Sequence, residues 1–490
     1  MRITAMGAWQ PAPGEALRWL PTPRCRAAAG AAPVRDAPLS FLTENDIRRS
    51  HAAHAQCLAH TSYLGSATEL DGDLDLDALT RALEAFVGRH PILRSWFESG
   101  GDGAVATHVV DPAAVAFEVH SDGPVTSSDS LQSLLRHRLG TETTTDVFPG
   151  LAFGAIRRTG GFSMYLGCDH ALSDGASQAL ALAEIAELYL ASRADEPVPP
   201  TGEGGGYFDY VSLEIAAAEH HMAGSPQFRA WQDTFTRHDL RMPGFPLDLG
   251  LAPGETAPVR PIEMPILDRA GVTDFDIACK AAGGSVFSGV YAALAIAARE
   301  LTGADEYYGM TVLNSRGAAP QFTTAQGWFC AFSPVEIPLA GARAFTDVVA
   351  IAHAAVARTK ELAAVPVQAA LAAMVAAGAS QDAVVTAPNL LSYIDFRWFP
   401  ADAAGAYDRG ILFTGEGRTG NASLWINRDH DSLYLGSQTP DTPYAQQQVA
   451  RYLDRFCAVV QAVAATGDHL VTTPDDRPLT TYATGAASCG

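Results

Sequence analysis

Cysteine is sparse and unpatterned. The seven residues, at 25, 57, 168, 279, 330, 457 and 489, are scattered along 490 positions with no CxxC spacing. An odd, dispersed set supports neither a disulfide framework nor a zinc site and fits a reducing compartment, so a cytoplasmic protein is expected. Long apolar runs are missing too: none reaches the ~18–20 residues of a membrane span, and the Ala-rich run 369–379 suits a buried helix. The opening segment, MRITAMGAWQPAPGEALRWLP, has neither the uninterrupted apolar core nor the small-residue cleavage site of a secretion signal. Positive charge is the third shortage, with 33 Lys plus Arg against 54 Asp plus Glu and a formal net charge of −21. Such a surface repels phosphate backbones and anionic headgroups, so neither nucleic acid nor stable membrane insertion is expected.

The chain is otherwise an ordinary globular one, 48% hydrophobic and 18% charged. At ~100–200 residues per domain it is long enough for roughly two to four units that need no metal or disulfide staple. Residues 1–40 are rich in Pro, Ala and Gly and read as an extended segment, with Trp9 and Trp19 as anchors onto a folded body. Periodicity begins after Leu39. A strand is predicted over 62–70, and Asp75 caps a helix whose Leu76, Leu79, Leu83, Phe86 and Val87 form one apolar stripe ending at Gly88. Strands at 104–110, 115–120 and 151–157 precede a strict alternation, Phe162, Met164, Leu166 and Cys168 against Ser163, Tyr165, Gly167 and Asp169. That strand runs into His170-Ala171-Leu172-Ser173-Asp174-Gly175, and a helix follows.

The stretch 192–206, with three prolines and four glycines, is the clearest linker. Helices at 208–222 and 226–238 bridge to a second unit. Its strands are predicted at 260–266, 306–313, 330–337, 390–397, 411–415, 422–427 and 432–437, and its helices at 268–282, 285–301, 345–364 and 442–465. Helices and strands alternate irregularly in both halves, which argues for an α+β fold of sheets backed by helices. The expected organisation is an N-terminal lobe over 1–200, a linker with bridging helices over 201–250, and a C-terminal lobe over 251–490.

Chemistry concentrates at His170-x-x-x-Asp174-Gly175. A strand end, a tight loop and a helix start hold short side chains rigidly at a sheet edge. Imidazole, with an unperturbed pKa of about 6.5, accepts a proton from an incoming hydroxyl or amine near neutral pH. Asp174 is placed to turn back and fix the loop, and Gly175 permits a backbone geometry that a Cβ would forbid. The pattern alone is weak: a loop His beside a helix-capping Asp is about as good a reading.

Further segments decide between these. RHPILRSWFE at 89–98, GCDHALSDG at 167–175, GGSVFSGVYAALA at 283–295, TVLNSRG at 311–317 and GWFCAFSPVEIPL at 327–339 recur in order with NLLSYIDFR at 389–397 and LWINRDHDSLYL at 424–435. In that order and spacing the chain resembles the condensation-domain superfamily with its HHxxxDG motif, and within it the polyketide-associated (Pap-type) acyltransferases, over nearly its full length. The resemblance implies two lobes like chloramphenicol acetyltransferase arranged as a V, with a tunnel between them and His170 at its midpoint. It implies His170 as the catalytic base and Asp174 as a largely structural carboxylate paired with a second-lobe arginine, for which Arg316 in NSRG is the candidate. Gly175 belongs to the same loop. The first motif histidine is Asp169 here, a substitution that either leaves the chemistry intact or perturbs His170 or the loop.

The implied reaction moves an acyl group from a thioester, on CoA or on the phosphopantetheine of an acyl carrier protein, to a small-molecule hydroxyl, a sugar such as trehalose being favoured. Because a thioester is already activated, neither a cofactor nor a metal is expected. The G-x-S-x-G elbow is absent around the motif, which favours direct transfer over an acyl-enzyme. A monomer is expected. An amide-forming condensation enzyme and a non-catalytic lobe pair that binds a carrier protein remain as alternatives, the second kept open by Asp169. Trp328, Phe329, Asn314, Ser392 and Asp395 are candidates for the tunnel wall, although the aromatics would equally serve as core, and Asp395, Arg397 and Asn427, polar groups within apolar strands, would be in structural pairing as readily as in contact with substrate. Cys168, on the apolar face of its strand, reads as a buried thiol. His51, His54 and His60 read as a solvated helix face, His430 as a turn residue, and Gly283-Gly284-Ser285 as a plain helix cap.

Overall fold

The computed structural model describes residues 1–101, 103–196, 206–400, 402 and 404–472. Most of the expected linker 192–206 lies outside them, as does Cys489. Two seven-stranded sheets carry the fold, one per lobe, with a small three-stranded sheet beside the first. The first sheet runs in the order Arg2–Ile3, Ile411–Thr414, Tyr63–Asp71, Gly161–Asp169, Leu151–Arg158, Gly14–Pro21 and Phe117–Val125. The second runs Cys330–Pro338, Glu306–Asn314, Leu390–Asp395, Ser423–Arg428, Ser432–Pro440, Ala257–Asp268 and Arg418–Thr419.

The alternation at 162–169 positions the central strand of the first sheet. Phe162, Met164, Leu166 and Cys168 pack with Leu79, Leu83 and Phe86 of the helix Leu76–Arg89 and with Leu182 and Ile185 of Gly175–Arg193. Asp75 caps the first of these helices, accepting from the Ala78 amide at 2.9 Å. The opposite face is buried as well: Tyr165 packs with Leu131, Leu135 and Leu139 of the helix Ser128–Glu142. Sequence periodicity did not announce that helix, because serines and Arg138 interrupt its stripe.

The N-terminal segment is more than an anchored arm. Gly14–Pro21 lies inside the first sheet between Leu151–Arg158 and Phe117–Val125, and the buried Trp19 indole donates to Thr80 Oγ1 at 2.8 Å. Val34–Arg35 then edges the three-stranded sheet with Val105–Val109 and Ser95–Ser99.

The helices Arg269–Ala281, Val286–Thr302, Phe345–Leu362 and Pro443–Thr466 build the core on the second sheet. Ser285 caps Val286–Thr302 by accepting from the Ser288 amide at 3.3 Å, and Gly303, at φ 76°, ends it. Among the described residues no single helix is long and apolar enough to cross a membrane.

One crossing was not expected. Ile411–Thr414 follows the strands of the second sheet in sequence, yet it pairs antiparallel with 64–67 of the first. Phe413 lies against Gly65, where a Cβ would come within 2.2 Å of its ring, so glycine makes that close approach feasible. The chain then returns at Arg418–Thr419 to pair with 257–258 of the second sheet. The segment 411–419 thus ties the two sheets together on one side of the gap between them.

Candidate active site

A cavity of about 430 Å³ occupies that gap. His170, Asp174, Gly175 and Gln178 face it from the end of the central strand and the following helix, Leu64 and Phe413 from the first sheet, and Trp328, Ser392 and Ile394 from the second lobe.

His170 opens a 3-10 turn, His170–Leu172, directly after the strand. Its amide donates to the Ser62 carbonyl at 2.8 Å, and its ring lies 4.1 Å from that of Trp328. Nδ1 is buried with no hydrogen-bond partner among the described residues. The residue lies on the cavity wall, where a bound group would meet the imidazole.

Asp174 is fully committed elsewhere. It caps the helix Gly175–Arg193, Oδ1 accepting from the Ser177 amide at 2.6 Å. Oδ2 accepts from the Phe329 amide at 2.8 Å and from Arg316 at 3.0 Å, and Oδ1 takes a second bond from Arg316 at 3.2 Å. The guanidinium, 4% exposed in its side chain, also donates to Ser177 Oγ and to the Ala325 carbonyl and lies 4.4 Å over the Phe329 ring. This forked pair joins the motif loop of one lobe to the 314–329 loop of the other. His170 gains no carboxylate from Asp174, so the two do not form a relay.

Of the tunnel candidates, the structure places Trp328 and Ser392 on the cavity wall and three others behind it. Asn314 accepts from the Arg316 amide at 3.0 Å and so braces the arginine. Phe329 is 1% exposed within the core, beneath Arg316. Asp395 turns away to pair with Arg397 at 2.6 Å. Gly175 needs correction on different grounds. It has no positive φ, and a Cβ there would meet only Ile394 Cδ1 at 3.7 Å. Its missing side chain leaves room in the cavity; the backbone does not demand it.

Asp169 is wholly buried and belongs to a cluster that periodicity did not reveal. Oδ1 accepts from the Ala171 amide at 2.7 Å, capping the His170 turn. Asp46, from the helix Phe41–Ala55, lies against it, binds the Ser62 hydroxyl at 3.0 Å and pairs with Arg49 at 2.7 Å. Burial, and then the Asp46 charge, push the Asp169 carboxyl well above the usual carboxylate range. His60 is no part of a solvated helix face: it follows that helix, is 8% exposed in its side chain and sits 3.5 Å from Asp169. His51 and His54, which are on the helix, bond Thr145 at 3.0 Å and Asp146 at 2.8 Å.

A folded-state pKa raised above the unfolded value makes stability fall as pH climbs from the unfolded aspartate range toward the folded one. Asparagine mimics the protonated acid throughout. Asp169→Asn is therefore expected to raise the unfolding midpoint relative to wild type, and by more at about pH 8 than at about pH 5. Thermal denaturation at the two pH values checks it; equal shifts would show that Asp169 is ionised in the fold.

Among the described residues the thiols nearest this site are shifted away from the nucleophilic thiolate form. Burial pushes the Cys168 thiol up to about 12, and it raises Cys330, on the cavity wall, well above its ordinary value. Among the described residues the one grouping with metal-ligand spacing is His238, Glu306 and Glu336. It lies outside the cavity wall, and Glu336 already binds Arg237 at 2.7 Å, so the cationic neighbour opposes a metal there.

Comparisons with known proteins bear on the family and the fold. The condensation-domain family model matches residues 53–379. Over 473 residues the chain is 31% identical to the 2′-acyl-2-O-sulfo-trehalose (hydroxy)phthioceranyltransferase PapA1 of Mycobacterium tuberculosis, covering 95% of this chain and 89% of that one. It is 27% identical over 487 residues to acyltransferase PapA3 of the same species, covering 95% and 98%. Among solved structures, a PapA2 acyl transferase superposes with a TM-score of 0.84 at 24% identity, over 95% of this chain and 100% of that one. The first condensation domain of the calcium-dependent antibiotic synthetase gives 0.66 at 20% identity, over 90% and 99%. Both likenesses are of fold, and both carry the two-lobed, chloramphenicol-acetyltransferase-like architecture.

Proposed function

The chain belongs to the condensation-domain family and, within it, to the Pap-type acyltransferases, and we propose that it moves an acyl group from a thioester directly to a hydroxyl of a trehalose-type sugar, with His170 as general base. The observation that carries this reading is the His170 imidazole on the wall of an interlobe cavity, with the neighbouring Asp174 carboxylate held by Arg316.

The step balances without a further reactant. Nε2 takes the acceptor's hydroxyl proton as its oxygen attacks the thioester carbonyl. The C–S bond breaks, and the imidazolium returns the proton to the departing thiolate, giving an ester and a free thiol. Alignment of the two substrates within about 3–3.5 Å supplies the rest of the acceleration. Burial raises the Cys168 and Cys330 thiols and so disfavours the thiolates that would compete for the acyl group. Intact-protein mass spectrometry with acyl-CoA and no acceptor is accordingly expected to show no added acyl mass. An adduct on Cys168 or Cys330 would replace direct transfer with a covalent route.

Relatives named for sulfated trehalose suggest the acceptor class. The identifying experiment offers acyl-CoAs and an acyl carrier protein as donors, with trehalose and 2-O-sulfo-trehalose as acceptors, and reads thiol release and product mass. A sugar carrying one acyl group in place of a hydroxyl proton is the expected product. Release that ignores the acceptor would show hydrolysis, and silence with every donor would favour a non-catalytic lobe pair.

A further inference from the structure

We propose that the cavity beside His170 holds the acyl chain of the donor, and that Trp425 with the hydrogen-bonded pair Gln438 and Thr414 forms the wall that limits its length. This rests on the acyl-transfer reading above.

The lining defines the occupant. Among the described residues no Lys, Arg or Glu faces the cavity, and the one carboxylate there, Asp174, is paired with Arg316. Leu64, Phe413, Val312, Phe332, Leu390 and Leu424 give the wall an apolar stretch, beside hydroxyl and amide groups such as Ser392 and Gln178. Its apolar stretches suit an uncharged hydrocarbon, and it presents no Lys or Arg to a sulfate or a phosphate among the described residues.

The far end has a particular construction. Ile3, Thr414, Trp425 and Gln438 line this cavity and also a second one, floored by Pro261, Ile262 and Gly436. The second has room for about 20 Å³, enough for about one water and not for a chain. Gln438 belongs to the second sheet, yet its side-chain amide reaches the Thr414 hydroxyl and, at 3.1 Å, the Gly415 carbonyl on the crossing segment. That bond bridges the sheets across the path. Trp425 stands opposite Gly436 in register, and a Cβ at 436 would come to 3.5 Å from the indole. The indole thus lies against the strand opposite and contributes to the walls of both cavities.

A chain growing from His170 gains affinity by about fourfold per buried methylene until it meets this wall. The test measures kcat/KM for saturated acyl-CoAs from acetyl to palmitoyl in wild type and Trp425→Ala. Wild type is expected to climb to a limit and fall beyond it. In Trp425→Ala the longest accepted chains improve by tenfold or more while short donors weaken, so the ranking inverts. Gln438→Ala, which removes the bridge and keeps the indole, shifts the limit in the same direction and covers a Trp425 variant that fails to fold. An unchanged limit in an active variant overturns the proposal. Calorimetric titration with the matching free fatty acids reads the same limit without turnover: a limit there that moves in the variants, in a protein with no transferase activity, would keep the subsite and discard the acyl-transfer reading.

Discussion

Removing either partner of the Asp174–Arg316 pair is expected to destabilise the protein by about 3–5 kcal/mol, the scale of breaking one partner from a buried ion pair. In Arg316→Met the Asp174 carboxylate keeps two backbone amides, from Ser177 and Phe329, but loses its fork of charge-assisted bonds. In Asp174→Asn the cap survives on one oxygen while the guanidinium is left buried with carbonyls and Ser177 alone. The double variant removes both charges and is expected to be less destabilised than the sum of the singles. Denaturant midpoints for the four proteins measure this coupling. Additive losses would show that the two groups contribute independently and that the lobes are held by other contacts. Because the pair joins the motif loop to the 314–329 loop, the folded fraction of each single variant is also expected to lose turnover.

How far the sequence anticipated this depended on the kind of information each feature carries. The alternation at 162–169 and the stripe at 76–87 were visible because apolar spacing reports a buried face, and the first of these, a strand, runs directly into His170, with Asp174 capping the helix that follows. The helix Ser128–Glu142 and the segment around Asp46, Ser62 and His60 were not visible, since buried polar residues leave no periodic mark and are recognised only through their partners. Strand Ile411–Thr414 was foreseen as a strand and its sheet was not, because partnership is fixed by contacts far along the chain. For the same reason residue type could not separate Trp328 and Ser392, on the cavity wall, from Asn314, Phe329 and Asp395, which stand behind it bracing Arg316, filling the core and holding Arg397. Gln438 gave no signal at all; its place follows from a bond between two sheets.

Loss of the His170 imidazole is expected to lower kcat about 10²–10⁴-fold, the range supplied by a positioned base. The cavity that receives the donor is built mainly by other side chains, so KM for the thioester should change little and the deficit should lie in the chemical step. His170→Gln keeps polarity and approximate size without basicity and is expected to be as slow as His170→Ala. The direct measurement is acceptor-dependent thiol release, wild type beside His170→Ala, at saturating acyl-CoA and sugar. A fall of a hundredfold or more with intact donor binding is the result that base-catalysed direct transfer predicts; release that persists undiminished in the alanine variant would contradict it.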